Sequence, residues 1–454
     1  MKRSLGPLDK RKRLSRCQPC AKRRIKCQGG LPCEYCIRTK KSCVPQTAPT
    51  DKLQFVRCTP SQQASQAVEL PVQVDRQADL LYFDYFALFI KRCEFTQDFA
   101  SVTCALLPLT ETCPPLREAV IAIGALDASR RSHVRTCSQR QLPHSIAFRS
   151  YGTSIRNLQH LLQASGALQS DGVLWCTFLL GLFELMSETS GERWVKHMLY
   201  GTSRIVQSLG PTAQTGQLRS RLFEAFRQLE ANRAVLYGED TFLSQAMWLK
   251  CHNHLAPSLA DPIETGLGAL VRMASFSKRF FDHIESIPQE LRPGHPIIHE
   301  LANEGMRIRR QLQCWHDHAT LHPDRLNSYL NLALTNYHAL ALFLCRNYTF
   351  YNCWDEQQIP QLTTDDVSTH VDAVLALSEA ILKVSSIPGL LLLFPLRMAG
   401  ASAIAACQRD QTSRLLARVS QNGFLISERV KADLHELWAH ERLRSNVELS
   451  QEVF

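Results

Sequence analysis

From about residue 76 onward, apolar side chains recur every three to four positions almost to the end of the chain, whereas before it they are scattered. The stretch after Pro114-Pro115 shows the pattern. Leu116, Val120 and Ile123 fall at i, i+4 and i+7, Ala119 and Leu126 broaden the stripe, and the proline pair marks a helix start. Similar patterns run over 80–92, 146–163, 173–187, 192–209, 218–237, 267–285, 297–315, 324–346, 366–385, 389–407 and 425–444. Gly, Pro or Asn/Asp breaks separate them. No segment alternates with the period of two that a strand requires, and no repeat of fixed period is visible. The expectation is a mostly α protein whose body, 76–454, is an all-helical domain of ten or more helices. Two runs are apolar enough to test as membrane spans, but 173–183 has only 11 residues and 389–406 is broken by Pro395 and Arg397. Both fall short of the roughly 20 apolar residues a bilayer demands, so buried helices and no membrane partner are expected.

Composition changes this picture little. With 45% hydrophobic and 21% charged residues in 454, the chain is that of a globular protein large enough for a small module and a sizeable core. Charge changes it more. Residues 1–43 hold fourteen Lys and Arg against only Asp9 and Glu34, a surplus of twelve, so residues 44–454 together carry a net of −2 out of the chain's +10. Basicity confined to one tenth of the sequence is the footprint of something that meets a polyanion. The first residues, Met1-Lys2-Arg3-Ser4-Leu5-Gly6-Pro7, lack the apolar run of a signal peptide, so the 17 cysteines are expected to be thiols in a reducing compartment. There, closely spaced cysteines point to metal or catalysis rather than to disulfides.

The cysteines are unevenly spread. The run is Cys17-x2-Cys20-x6-Cys27-x5-Cys33-x2-Cys36-x6-Cys43, six in a stretch where the chain's average of 17 in 454 would place about one. Each Cys-x2-Cys pair can turn back so that both sulfurs reach one ion. Six thiolates fill two tetrahedral zinc sites only if two of them bridge both metals. Four organisational segments follow: a basic arm 1–16, the cysteine module 17–43, a linker 44–75 rich in Pro, Gln, Thr and Ser, and the helical body.

The stretch CQPCAKRRIKCQGGLPCEYCIRTKKSC resembles the zinc-binuclear-cluster family of fungal transcription factors. The resemblance implies two Zn²⁺ held by Cys17, Cys20, Cys27, Cys33, Cys36 and Cys43. Cys17 and Cys33 would bridge, Cys20 and Cys27 would complete one ion, and Cys36 and Cys43 the other. Between the second and third cysteines lies Ala21-Lys22-Arg23-Arg24-Ile25-Lys26, four cations in six residues. A helix carrying them can set Lys or Arg against guanine O6 and N7 while its neighbours hold phosphates. By position, Arg23 and Arg24 are the expected readers of CGG-type triplets and Lys22 and Lys26 the phosphate contacts. The chain departs from the family at Gln28, where an acidic residue is usual, and at Pro32, one place nearer the fourth cysteine than usual.

Much of the remainder resembles the all-helical regulatory domain of the same factors, in stretches such as CPPLREAVIAIGAL and DGVLWCTFLLGLFELMSETSGERWVKHMLYGTSRIVQSLG, with Glu184, Trp194 and His197 as fixed polar residues. These read as packing groups. The resemblance implies a nuclear regulator of RNA polymerase II genes, with double-stranded DNA and the transcription machinery as partners and a secondary-metabolite gene cluster as a target. It leaves a homodimer open, although 44–75 offers no apolar heptads for a coiled-coil seam. Lys2-Arg3 and Lys10-Arg11-Lys12-Arg13 read as a nuclear-import signal that an import receptor would bind.

Other constellations are weaker. His435 and His440 lie five apart, diverging by about 140° on a helix, and so cannot share a metal. Cys251, His252 and His254 crowd together without a fourth ligand. Without a phosphate loop, nucleophile elbow or paired-carboxylate arrangement, no enzyme is expected. Two rival readings are a zinc-dependent RNA-binding or scaffold protein, and a helical enzyme or small-molecule receptor that the cluster targets to chromatin. Against the RNA reading, Tyr35 is the one aromatic residue in 1–43 for a base to stack on.

Overall fold

The computed structural model describes residues 17, 32–40, 42–44, 72–131, 137–164, 166–197, 201–214, 216–249, 261–323, 327–354 and 357–451. The chain divides into two compact units, Met1–Pro71 and Val72–Phe454. In the first, the described residues centre on a short helix, α1 (Glu34–Arg38).

The second unit is helical throughout its described residues, with no strand among them. One group of helices is built on α4 (Pro114–Arg131), which packs against α2 (Val72–Arg92), α5 (Cys137–Leu161) and α6 (Asp171–Ser187), with α3 (Val102–Leu109) touching α2. Helix α6 is buried from Gly172 to Met186, which explains why its sequence has no polar face. The short helices α7 (Glu192–His197) and α8 (Ser203–Leu209) follow.

Helix α9 (Gln217–Tyr237) joins this group to the next, packing on α3 and α6 and also on α10 (Pro262–Ser286) and α14 (Leu393–Ser402). In the second group, α12 (Ser328–Thr349) packs on α10, α11 (Pro296–Thr320), α13 (Thr364–Val384) and α14. Helices α15 (Ala406–Gln421) and α16 (Ile426–Gln451) close against α14 and each other. One apolar core runs from Tyr82 to Trp438.

Local chemistry sets the helix starts. Asp261 and Asn327 accept the first free backbone N–H groups of α10 and α12, and Pro262 and Pro296 occupy first-turn positions where no amide hydrogen is needed. At α13, Thr363 and Asp366 cap reciprocally, Asp366 N–H donating to Thr363 Oγ1 and Thr363 N–H to Asp366 Oδ2.

The observed elements depart from the expected ones where tertiary contacts override periodicity. The expected helix 192–209 is two pieces, α7 and α8, and the chain re-enters α8 through a wider π turn at Gly201-Thr202. There the His197 ring lies against Gly201 and against Gly181 of α6. The expected helix 389–407 is a 3₁₀ turn, Gly389–Leu392, followed by α14, which stops at Ser402. Its continuation is extended because the Gln408 side chain accepts from the Ile404 and Ala405 amides and Arg409 donates to Ala403 O. Helices α3 and α15 were not expected: α3 is short and carries Pro108, while α15 shows the core only the narrow stripe Thr412, Leu415, Leu416 and Val419.

Close approach and buried histidines fix two of the packings. At Gly124, α4 passes so near α2 that a Cβ would overlap the Tyr82 carbonyl, backbone that cannot swing aside. Between α12 and α13, His338 Nδ1 and His370 Nδ1 stand 2.8 Å apart, so one ring donates and the other, which must be neutral, accepts. His316 of α11 stacks on Tyr337 beside them, with Asp366 of α13, and Arg309 and Asp317 of α11, as the nearby charges. Burial first, then His370 and His316, pushes His338 down to about 3. Burial also lowers His370, against the pull of Asp366.

Two outcomes follow. Gly124→Ala should destabilise the second unit by about 1–3 kcal/mol in urea melts without changing the slope, the cost of overpacking a rigid contact. Stability should also fall from pH 7.5 to 5. Unfolded histidines take up protons near pH 6.5 while His338 and His370 stay neutral in the fold, so their contribution is full above that pH and is lost below it. His338→Leu should make this acid loss shallower by roughly 1–2 kcal/mol at pH 5; an identical pH profile for both proteins would count against the neutral pair.

Candidate metal centre

In the first unit, Cys33 stands just before α1 with extended backbone and accepts the Ile37 amide, while Cys36 follows within the first turn. One turn of helix therefore sets two sulfurs of a Cys-x2-Cys pair side by side. After α1 the chain reverses at Lys40, which takes a left-handed backbone (φ 49°), and this return brings Cys43 back to the helix start. Cys33 N–H donates to Cys43 Sγ at 3.3 Å, a bond that orients the sulfur. Cys17 arrives from sixteen residues upstream, its Sγ 3.8 Å from that of Cys33 and 3.6 Å from that of Cys36.

The four ligand atoms of Cys17, Cys33, Cys36 and Cys43 all lie within 4.8 Å of one another. A tetrahedral ion with metal–sulfur bonds of about 2.3 Å places its sulfurs about 3.8 Å apart. The donor set fits such an ion. Cys17, Cys33 and Cys36 are buried, and Tyr35 packs beside them. Burial first, then the thiols of Cys33, Cys17 and Cys43, pushes the Cys36 thiol far up. Four sulfurs this close lose their protons together only around a cation. A closed site of four thiolates holds structure rather than performing catalysis, because no position is left for substrate.

These four are the set that the resemblance gives to one ion, with Cys17 and Cys33 as its bridging members. Cys20 and Cys27, the partners of the other, lie outside the described residues, as do Lys22, Arg23, Arg24 and Lys26 and the arm residues Lys2, Arg3, Lys10, Arg11, Lys12 and Arg13.

No other group of three or more Cys, His, Asp or Glu side chains among the described residues brings its ligand atoms close enough to hold one ion. The His435 ring lies tilted against Trp438 and meets Ser413, an ordinary helix contact. Cys251, His252 and His254 lie outside the described residues. Glu184, Trp194 and His197 form part of the packing between α5, α6 and α7. Tyr151 donates to Glu184 Oε1 at 2.6 Å, and His197 Nε2 meets Thr177 O at 2.7 Å. Burial raises the Glu184 carboxyl, against the pull of His197 and Tyr151. Sequence reasoning missed the His316, His338 and His370 cluster because its members lie 22 and 32 residues apart on three helices. No local spacing signals such a meeting.

Compared with known proteins, residues 95–450 match the family described as "Fungal specific transcription factor domain". The match leaves the cysteine module outside it. An uncharacterized protein of Emericella nidulans is 22% identical over 289 residues, 54% of this chain and 62% of the relative. The chain thus spans about three fifths of the length of that curated relative. No solved structure matches. Among the described residues no helix is long and apolar enough to cross a membrane.

Proposed function

The chain belongs to the fungal-specific transcription factor family, and from that membership we propose that it regulates transcription by gripping double-stranded DNA through residues 17–43. The observation that carries the reading is the group of four sulfurs at tetrahedral spacing within the one strongly basic stretch of the chain. Two Zn²⁺ on six cysteines would cross-link the module. Cys17 and Cys33 are the shared ligands, Cys36 and Cys43 complete one ion, and Cys20 and Cys27 the other.

The protein's own residues do the recognition. Arg23 and Arg24 address guanine edges of CGG-type triplets in the major groove, and Lys22 and Lys26 hold phosphates. Residues 44–75 set the reach from the module to the helical body, which carries regulation and contacts with the transcription machinery. Lys2, Arg3 and Lys10 to Arg13 direct import to the nucleus and add phosphate contacts. Control of a secondary-metabolite gene cluster rests on family resemblance, and mapping of bound promoters tests it.

Elemental analysis of the purified full chain should find two zinc ions per polypeptide, and chelation should abolish duplex binding, since metal supplies much of the folding free energy of so small a module. One ion or none would remove the shared-ligand arrangement. On the preferred duplex, Arg24→Ala should cost about 1–3 kcal/mol and blur the sequence preference. Lys22→Ala should weaken all duplexes about equally and flatten the salt dependence. An unchanged preference in the Arg24 variant would take that residue out of base reading.

A further inference from the structure

In the second unit, α10 and α11 run side by side but part near the turn Phe242–Ser244, leaving a cleft of about 470 Å³. That volume lies within the range of small-molecule sites. Its floor is apolar, formed by the buried side chains of Met273, Phe276 and Leu312. Trp315 makes a fixed wall. Its indole N–H donates to Pro262 O at 3.1 Å and Thr265 Oγ1 at 3.0 Å, and its ring lies so close to Gly266 that a Cβ there would be 3.0 Å from it.

The rim carries the opposite chemistry. Arg272 and Arg279 of α10 and Arg307 of α11 all line the cleft, and the one carboxylate among the lining residues is Glu304. Two of the three cations share it, Arg279 at 2.8 Å and Arg307 at 3.8 Å. Arg272 has no hydrogen bond or ion pair among the described residues. The stretch 250–260, which leads into α10, contains no Asp or Glu. The lining residues of the cleft thus carry three cations against one carboxylate above an apolar floor, with Asp240, which accepts from Ser275, as a further carboxylate just behind the lining. Cations that need not be buried for packing, grouped at an apolar cleft, complement an anion attached to a hydrophobic body.

We propose that this cleft binds a small amphipathic organic anion, an aromatic or aliphatic body carrying a carboxylate, sulfonate or phosphate. The body lies on Met273, Phe276 and Trp315, and the anion meets Arg272 and Arg307. Such a site gives the helical body an effector input. It stands on residues of the second unit alone, so it holds or fails independently of the DNA-binding reading.

The test uses two probes with the same ring system: 8-anilinonaphthalene-1-sulfonate, and N-phenyl-1-naphthylamine, which lacks the sulfonate. Binding to the purified full chain is followed by fluorescence, and each variant is first checked for an unchanged melting temperature. The sulfonate should bind saturably and at least about tenfold more tightly than the neutral probe, the ratio expected for charge-assisted hydrogen bonds. Added salt should weaken it. Arg272→Ala combined with Arg307→Ala should remove that preference and leave the neutral probe within about twofold; both side chains are exposed and neither supports the core. Ile308→Trp, which fills the cleft, should displace both probes. Absence of saturable sulfonate binding, equal affinity for the two probes, or indifference to the arginine pair would each overturn the proposal.

Discussion

A charged side chain without exposed surface lies at the centre of the helical body. Arg233 of α9 is enclosed, its guanidinium forked onto Glu230 by two bonds of 2.9 Å, with Glu239 and the Asp240 carbonyl taking further hydrogens. A buried pair of this kind adds little net stability over apolar residues, but with one partner missing it leaves a desolvated charge that costs several kcal/mol. Its geometry ties Glu230 within α9 and Glu239 just beyond its end to the one guanidinium. Helix α9 ends there, at left-handed Gly238, and Arg397 of α14 donates to the Leu236 carbonyl left open by that ending. The same helix touches both groups of helices through α6 and α10, and Arg227 pairs with Glu264 of α10 at 3.0 Å. Satisfying the polar groups of one enclosed helix thus fixes how the two groups meet.

That helix also marks the limit of what periodicity reveals. The existence of α9 was legible, because its apolar positions repeat with the helical period over 218–237. Its burial was not, because Arg227, Glu230, Asn232 and Arg233 read as a solvated face and are all inside. The reverse holds for α6, whose apolar run, too short to cross a bilayer, was expected to be a buried helix and is one. Boundaries failed where a distant side chain decided them, as Gln408 and Arg409 do for the end of α14. Helix α15 escaped notice because it buries a narrow stripe and presents polar residues elsewhere. In the cysteine module, spacing alone announced a metal site, and the four cysteines among the described residues are gathered into one group. Contacts assembled from separate helices, such as the three histidines and the arginine cleft, had no signal in local spacing.

The two units solve the problem of stability differently. The body buries an apolar core that extends over most of its helices, so single polar anomalies such as the His338–His370 pair are carried by surrounding packing. Around α1 the buried side chains are cysteines, and Ile37 and Val44 face solvent. A stretch this short cannot bury enough surface to offset its chain entropy. Whatever order it has must come from cross-links, and four thiols held together raise one another's proton affinity until a cation replaces the protons. A metal ion held by these four sulfurs would make its own binding and the folding of the module one equilibrium.

The distribution of charge completes the division of labour. All the excess positive charge lies in 1–43, where a polyanion would be met, while the rest of the chain has a net charge of −2. Against that nearly neutral background, the α10–α11 cleft is a local reversal of sign, with Arg279 and Arg307 sharing Glu304 and Arg272 beside them without an ion pair among the described residues. Several arginines elsewhere in the body are paired, Arg92 and Arg131 with Asp127, Arg219 with Asp171 and Arg409 with Glu441. A surplus of cations where apolar side chains line an open cleft gives local complementarity to an anion of matching shape. Over the short screening length of physiological salt that complementarity acts at the cleft and not across the whole body, which suits a regulator whose long-range attraction is reserved for its first residues.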